Sequence, residues 1–382
     1  MAFVNALSQH PDAAEATGDV VGRVLEGLGA SPDLAVLFCS GDHVDAIDDI
    51  VATVRALARP RVLIGSTADT VVGGEYEVEE GPALSLWAAT LPAAGTLQPV
   101  RVTAARTPSG TAIQGLAVGA LAEGATVLLL ADPFSLPVEA ILDAVDAAEA
   151  RVAVAGGLAS GARAPGGNRL VLDGEVVSHG GVGVVLPPGT AVSTIVSQGC
   201  RPVGRPMIVT KARGNVLDEL AGQPALARLE ELAQRAGPEE RELLASGLHL
   251  GIAIDEHRAA FGRGDFLIRA VIGVERDSGG LVVGEAVEVG TTVQFHVRDA
   301  DAADEDLLAL LATASGDGAL LFTCNGRGTR LFGEPDHDAR AVRDAIGNDA
   351  VAGMACAGEV GPVAGRSFLH SFTASVVLFG GR

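Results

Sequence analysis

The sequence predicts an α/β protein, a layered α/β sandwich with mixed sheets, built from repeated α/β units and divided into two domains. Three observations predict it. Apolar residues at helical spacing alternate with short apolar runs of strand length. That order of elements recurs three times along the chain. Finally, 50 glycines accompany few aromatics (eleven Phe, Trp87 and Tyr76), which leaves the core to Ala, Val, Leu and Ile packed closely between layers.

In the first copy, Val20, Val21, Val24, Leu25 and Leu28 stripe a helix before a strand at 34–39. Ile47, Ile50, Val51, Val54 and Leu57 stripe a second helix before a strand at 61–65. In the second copy, Ile113, Leu116, Ala117, Ala120 and Leu121 predict a helix before the strand at 126–131. Ile141, Leu142 and Val145 then lead to a strand at 152–156. The third copy has apolar 307–311 before 319–323, and Ala339, Val342 and Ile346 before 350–353. Each copy continues through a Gly-rich loop into a longer strand, at 84–91, 183–186 and 373–379. Phe38 to Gly65 spans 27 residues, as does Leu129 to Gly156, whereas Phe322 to Gly353 spans 31 and requires a small insertion near 326–333.

A different segment separates copies two and three. A hairpin is expected at 207–217 around Arg213-Gly214-Asn215. A polar helical stretch at 225–245 is interrupted at Gly237-Pro238, and strands follow at 248–254, 266–274, 281–283 and 293–297. Pro202, Gly204 and Pro206 interrupt both patterns, so the domains are expected at 1–203 and 204–382.

Charge excludes some partners. With 27 Lys+Arg against 48 Asp+Glu, the net charge of -21 opposes nucleic acid and anionic membrane surfaces, both of which are held by clustered cations. Lys211 is the only lysine, so Schiff-base chemistry would rest on it alone. Apolar runs fall far short of the ~18–20 residues of a membrane span, so no membrane insertion is expected. The first basic residue is Arg23 and no apolar targeting region follows Met1. Four scattered cysteines make no disulfide framework, and a reduced, cytoplasmic protein is expected. Arg in place of Lys, with abundant Ala and Gly, fits a GC-rich bacterial genome.

Polar, Gly-rich loops close the repeated strands: Ser40-Gly41-Asp42, Gly65-Ser66-Thr67, Gly156-Gly157-Leu158-Ala159-Ser160-Gly161, Cys324-Asn325-Gly326-Arg327-Gly328 and Gly358-Glu359-Val360-Gly361-Pro362. None matches a P-loop or a dinucleotide fingerprint. The third copy is the richest chemically. Asn325, Arg327, Glu359, Arg366 and His370 fall in loops or strand ends that the repeat places on one edge. Arg offers planar donors to a carboxylate or phosphate, while Glu and Asn take an amino group, a set suited to a small zwitterion such as an amino acid. No C-x-x-C or H-x-x-x-H spacing points to a metal.

Several stretches resemble the FIST family. Gly199-Cys200-Arg201-Pro202-Val203-Gly204 with Val209-Thr210 resembles its central signature. So does 320–328, and 358–362 with 368–375 resembles the family's C-terminal pattern. Ile64-Gly65-Ser66-Thr67 and 156–160 resemble its N-terminal half, and the likeness covers essentially the whole chain. One departure is Ala68-Asp69-Thr70, read as standing where the family typically has an A-G-E-like turn, which survives at Ala357-Gly358-Glu359. The resemblance implies an intracellular sensory module that binds a small ligand, with amino acids proposed and some members described as haem proteins sensing nitric oxide.

The sequence thus leads to a small-ligand sensor in signal transduction, without catalysis and without a cofactor. The expected ligand contacts are Cys324, Asn325, Arg327, Glu359, Arg366, His370, Arg201 and Ser66. The pocket is expected at the junction of the halves or at the loop edge of the third copy. No transmitter, DNA-binding or F-box segment is left in the chain, so output is expected to pass through a downstream signalling protein. Two alternatives stand beside this one. The first is a haem-based nitric-oxide sensor drawing an axial ligand from eight histidines. The second is an enzyme with Cys324 as nucleophile and His370 or Glu359 as base. Against the enzyme, Cys39 is read as the counterpart of Cys324 in copy one, an inert small hydrophobe.

Overall fold

A computed structural model describes residues 1–91, 96–107 and 110–381. Three sheets of one plan correspond to the three copies. Each has two adjacent parallel strands linked through a helix, and a third strand running back antiparallel beside the first. These are Leu34–Ser40, Val62–Ala68 and Leu84–Thr90 in copy one. They are Thr126–Ala131, Ala153–Leu158 and Gly181–Leu186 in copy two. In copy three they are Gly318–Cys324, Val351–Cys356 and Thr373–Phe379. The linking helices contain Ile47–Leu57, Val138–Asp146 and His337–Ile346. Ala2–Ser8, Gln98–Thr107 and Val192–Gln198 each add a strand beside the returning one. Copies made of mixed sheets and helices are the α/β architecture that the alternating periodicities predict.

The copies do not close their own sheets. The hairpin after the second parallel strand leaves its copy and pairs with another. Val71–Gly73 and Tyr76–Val78 of copy one join Val351–Cys356 of copy three. Leu170–Leu172 and Glu175–Val177 of copy two join Val62–Ala68 of copy one. Glu359–Val363 and Arg366–His370 of copy three join Ala153–Leu158 of copy two. The exchange is cyclic: each sheet is completed by a hairpin from one other copy, and the three sheets are complete together only when all three copies are folded.

The inner faces share one core. Val36, Phe38 and Trp87 of copy one meet Leu128, Leu130 and Val184 of copy two, and Leu320, Phe322 and Phe379 of copy three. Trp87 is fully buried, lies 4.9 Å from the Phe379 ring and donates its Nε1–H to the Ala350 carbonyl at 3.1 Å. Helices cover the outer faces of the first two sheets, with Val20, Val24, Ile50 and Val54 on one, and Ile141 and Val145 on the other. Register also marks the duplication. Leu37, Leu129 and Leu321 stand opposite Gly65, Gly156 and Gly353. A Cβ on these glycines would meet the facing leucine carbonyl oxygen at 2.6, 1.9 and 1.9 Å, so only glycine fits. The counterpart of Leu129 is therefore Leu37, one residue from the Phe38 that spacing suggested.

The expected helix at 113–121 is a correction. Gly110–Gln114 is a strand paired antiparallel with Gln98–Thr107, and Val118–Ala120 makes one 3-10 turn. Leu116 and Ile113 still pack on the core of copy two, so helical spacing was reporting inward placement, which a strand and a turn also achieve. The insertion in copy three holds one extra helical turn, Thr329–Phe332.

By compactness, Met1–Val196 with Leu308–Arg382 form one unit, and Ser197–Leu307 a second. In the second unit, six antiparallel strands close on themselves. The ends meet where Cys200–Arg213 pairs with Val216–Leu220. Val209, Leu217, Leu250, Leu281, Phe295 and Val297 fill its interior. Among the described residues no helix is long and apolar enough to cross a membrane.

Candidate functional site

Ligands of α/β sheets sit at the carboxyl ends of parallel strands, where loops and unpaired strand ends gather polar groups. Here those ends from all three copies converge. Ser160, after the second copy's strand, donates Oγ–H to the Ala355 carbonyl of copy three at 2.5 Å and accepts the Asp69 N–H of copy one at 3.0 Å.

The densest polar cluster lies at the end of copy three. Arg327 is 3% exposed and Asp338 fully buried, and they form a two-pronged ion pair, Nε to Oδ2 at 2.6 Å and Nη2 to Oδ1 at 2.8 Å. Thr323 Oγ1 donates to the same carboxylate at 2.7 Å, and the His337 Nδ1 lies 3.1 Å from it. The Phe332 ring, 5.2 Å from the guanidinium carbon, covers one face of Arg327. Its third nitrogen, Nη1, is buried without a hydrogen-bond partner. Burial alone would raise the Asp338 carboxyl, but the charge and hydrogen bonds of Arg327 hold it well below the usual carboxylate range.

The exchanged hairpin of copy one brings in two more acids. Glu77 is buried and accepts the Ala339 N–H at 2.7 Å. Burial, and then the charge of Asp338, push its carboxyl up to about 8. Glu79 Oε1 accepts the Thr329 N–H at 2.8 Å and its hydroxyl at 2.9 Å. Together with Asp69, Thr70, Cys324, Asn325, Arg330 and Ala355, these groups wall a cavity of about 40 Å³. That is room for one or two waters. Near neutral pH the arginine and Asp338 cancel while Glu77 holds its proton, so the buried wall carries no net charge.

The structure brings Cys324, Asn325 and Arg327 together in this cavity. Glu359 lies within electrostatic reach of Arg327 but is fully buried, its Oε2 accepting the Thr373 N–H and Oγ1–H at 3.1 and 2.7 Å. Its Oε1 has no partner, and burial pushes the carboxyl up to about 8 against the pull of those bonds. His370 stands opposite Glu359 in the hairpin and places Nε2 2.9 Å from the Gly361 carbonyl oxygen. Arg366 lies at the far end of that strand, half exposed and bonded to Asp146. Arg201 belongs to the second compact unit, where Asp299 accepts its Nε–H at 2.7 Å. Ser66 is buried in its strand and donates to the Thr67 carbonyl at 3.0 Å.

Sequence reasoning missed Asp338, Glu77, Glu79 and Thr323. Asp338 reads as an ordinary acid in the first turn of a helix, and the glutamates reach the site only through the hairpin exchange. Two alignments also change. Cys324 pairs with Cys356 as Ser40 pairs with Ala68, so the counterpart of Cys324 is Ser40, while Cys39 faces the outer helices. By the same register, Ala357-Gly358-Glu359 corresponds to Asp69-Thr70-Val71. Among the described residues, no three His, Cys, Asp or Glu side chains are grouped to hold a metal ion. Four larger cavities, of about 430 to 660 Å³, have no histidine in their walls, so none of them offers haem an axial imidazole.

The FIST N domain matches residues 33–223 and the FIST C domain residues 225–362. The chain belongs to the FIST family. FIST domains are generally associated with sensory signal transduction. The FIST protein described here is 44% identical over 380 residues to the uncharacterized protein Rv0628c of Mycobacterium tuberculosis, covering 98% of each chain. It is 43% identical over 376 residues to the uncharacterized protein Mb0898c of Mycobacterium bovis, covering 97% of this chain and 96% of that one. The FIST N match runs through copies one and two, whose hairpin completes the FIST C cavity, so neither match alone contains the whole site.

Proposed function

We propose that this protein is a cytoplasmic sensor that binds a small zwitterion of the amino-acid class at the strand-end cavity of copy three, and signals through a partner protein. One observation carries the reading: a buried arginine in the cavity wall keeps a nitrogen without a partner. Leaving such a donor unsatisfied costs about 1–3 kcal/mol, more for a charged group, which a ligand oxygen would recover. The same wall holds Asp69 and Glu79 beside the arginine, so it offers partners of both signs to a zwitterion. In this reading a carboxylate enters head first and replaces cavity water at Arg327. The ammonium meets Glu79 and Asp69, and the side chain remains at the mouth. Four cysteines, all thiols, fit a reducing compartment.

Differential scanning fluorimetry on Trp87 with the twenty amino acids, nucleotides and organic acids tests this. A ligand at a hundredfold excess over its Kd stabilises by about 2.7 kcal/mol. An amino acid is expected to raise Tm, and Asn325→Ala and Glu79→Gln to reduce the shift. No shift across the panel, or one untouched by both variants, removes the reading.

A further inference from the structure

Cys324 and Cys356 end the two parallel strands of copy three and are direct partners in register. Neighbouring strands run about 4.8 Å apart, inside the ~4.4–6.8 Å Cα range that a disulfide spans. Side chains alternate along a strand, and both cysteines share the parity of residues that point into the central core. Leu320 and Phe322 precede Cys324 on that face, and Ala352 and Met354 precede Cys356. The two sulfurs therefore lie on one face, at the last paired position of the two strands, where the Asn325 N–H still donates to the Cys356 carbonyl at 3.0 Å. They differ in access. Cys324 is 9% exposed and lines the cavity, whereas Cys356 is fully buried. The other copies cannot do this, because Ser40 pairs with Ala68 in copy one. In copy two, Asp132 and Ala159 follow the paired strand ends Ala131 and Leu158.

We propose that Cys324 and Cys356 form an oxidisable dithiol site whose substrate is a hydroperoxide and whose product is a Cys324–Cys356 disulfide. The Cys324 thiolate attacks the outer peroxide oxygen and the O–O bond breaks. The departing alkoxide or hydroxide takes a proton, leaving an alcohol or water and a Cys324 sulfenic acid. The Cys356 sulfur then attacks the Cys324 sulfur. The S–O bond breaks, and hydroxide leaves with the Cys356 proton as water. Two electrons pass from the dithiol to the peroxide. Arg327, paired with Asp338, is within electrostatic reach of Cys324, and access through the cavity makes Cys324 rather than Cys356 the first attacker. Burial pushes the Cys356 thiol well up, which suits a resolving partner rather than the first attacker. Closing the disulfide fixes the cavity wall at Cys324, and this chemistry needs no ligand there.

Peptide mapping by mass spectrometry after titration of the reduced full chain with hydrogen peroxide tests the proposal. The expected product is the Cys324–Cys356 linked peptide, reversed by dithiothreitol and formed roughly tenfold or more faster than any oxidation of Cys39. In Cys356→Ala, checked for folding by Trp87 fluorescence, dimedone is expected to trap Cys324 sulfenic acid. In the wild type, sulfinic acid at Cys324 with Cys356 still a thiol overturns the proposal. Oxidation of all four cysteines at one rate does the same.

Discussion

Glu359→Gln isolates the consequence of burying a carboxyl at the strand ends. Burial pushes that carboxyl up to about 8 in the native protein, while in the unfolded chain it stays near its ordinary value of 4.5. Between these values the unfolded state has released a proton that the native state keeps. Stability from this group is therefore full below about 4.5 and is lost as pH rises through about 8, at about 1.4 kcal/mol per pH unit. Glutamine has the same shape, does not titrate, and presents an oxygen to Thr373 where Oε2 now accepts two hydrogen bonds. Glu77 contributes the same slope to both proteins and cancels. From about pH 5.5 to 7.5 the stability of Glu359→Gln is expected to rise relative to wild type by roughly 2–3 kcal/mol. Urea unfolding followed by Trp87 fluorescence measures this in the compact unit that contains both residues, because Trp87 is the single tryptophan and is fully buried in its core. A difference constant within about 0.5 kcal/mol across that range would refute the protonated, buried Glu359.

Other substitutions probe the same region. Asp338→Ala leaves Arg327 buried without its counter-ion and is expected to cost about 3–5 kcal/mol in the same urea assay, most of it recovered by Arg327→Met with Asp338→Leu. Because the Asp338 carboxyl is held below its unfolded range, its contribution is expected to be present at neutral pH and lost in acid, in a wild-type pH series that Asp338→Asn flattens. Gly353→Ala drives a Cβ to 1.9 Å from the Leu321 carbonyl oxygen and is expected to cost about 3 kcal/mol or more. Cyclic exchange makes that loss visible at Trp87, in another copy; an unchanged Trp87 transition would show that the copies unfold separately.

Much of the fold was legible because its signals are local. Ile47, Ile50, Val51 and Val54 read as one helix face and pack as one, and the valine-rich runs became paired strands. The stretch at 110–121 misled because Ile113 and Leu116 point inward from a strand and a turn as well as from a helix. At the site, Asn325 and Arg327 stood out as polar residues just past a buried strand. Glu77 did not, since nothing in Val71–Gly73, the hairpin partner of its strand, encodes pairing with a strand some 280 residues away. Arg201, Arg366 and Ser66 carry the right chemistry, but each is bonded elsewhere.

By itself, the sequence determined the threefold α/β repeat, the acidic balance, the single lysine and membership of the FIST family. Periodicity fixes which face of each element turns inward, and motif residues persist in order along the chain. Only the tertiary structure decided which hairpin completes which sheet, that Arg327 and Glu359 are buried, and that Cys324 faces Cys356. Strand pairing is specified by register and shape across the whole fold, and the protonation of a carboxyl by how much water it loses there. Neither quantity exists until the three copies have closed around one another.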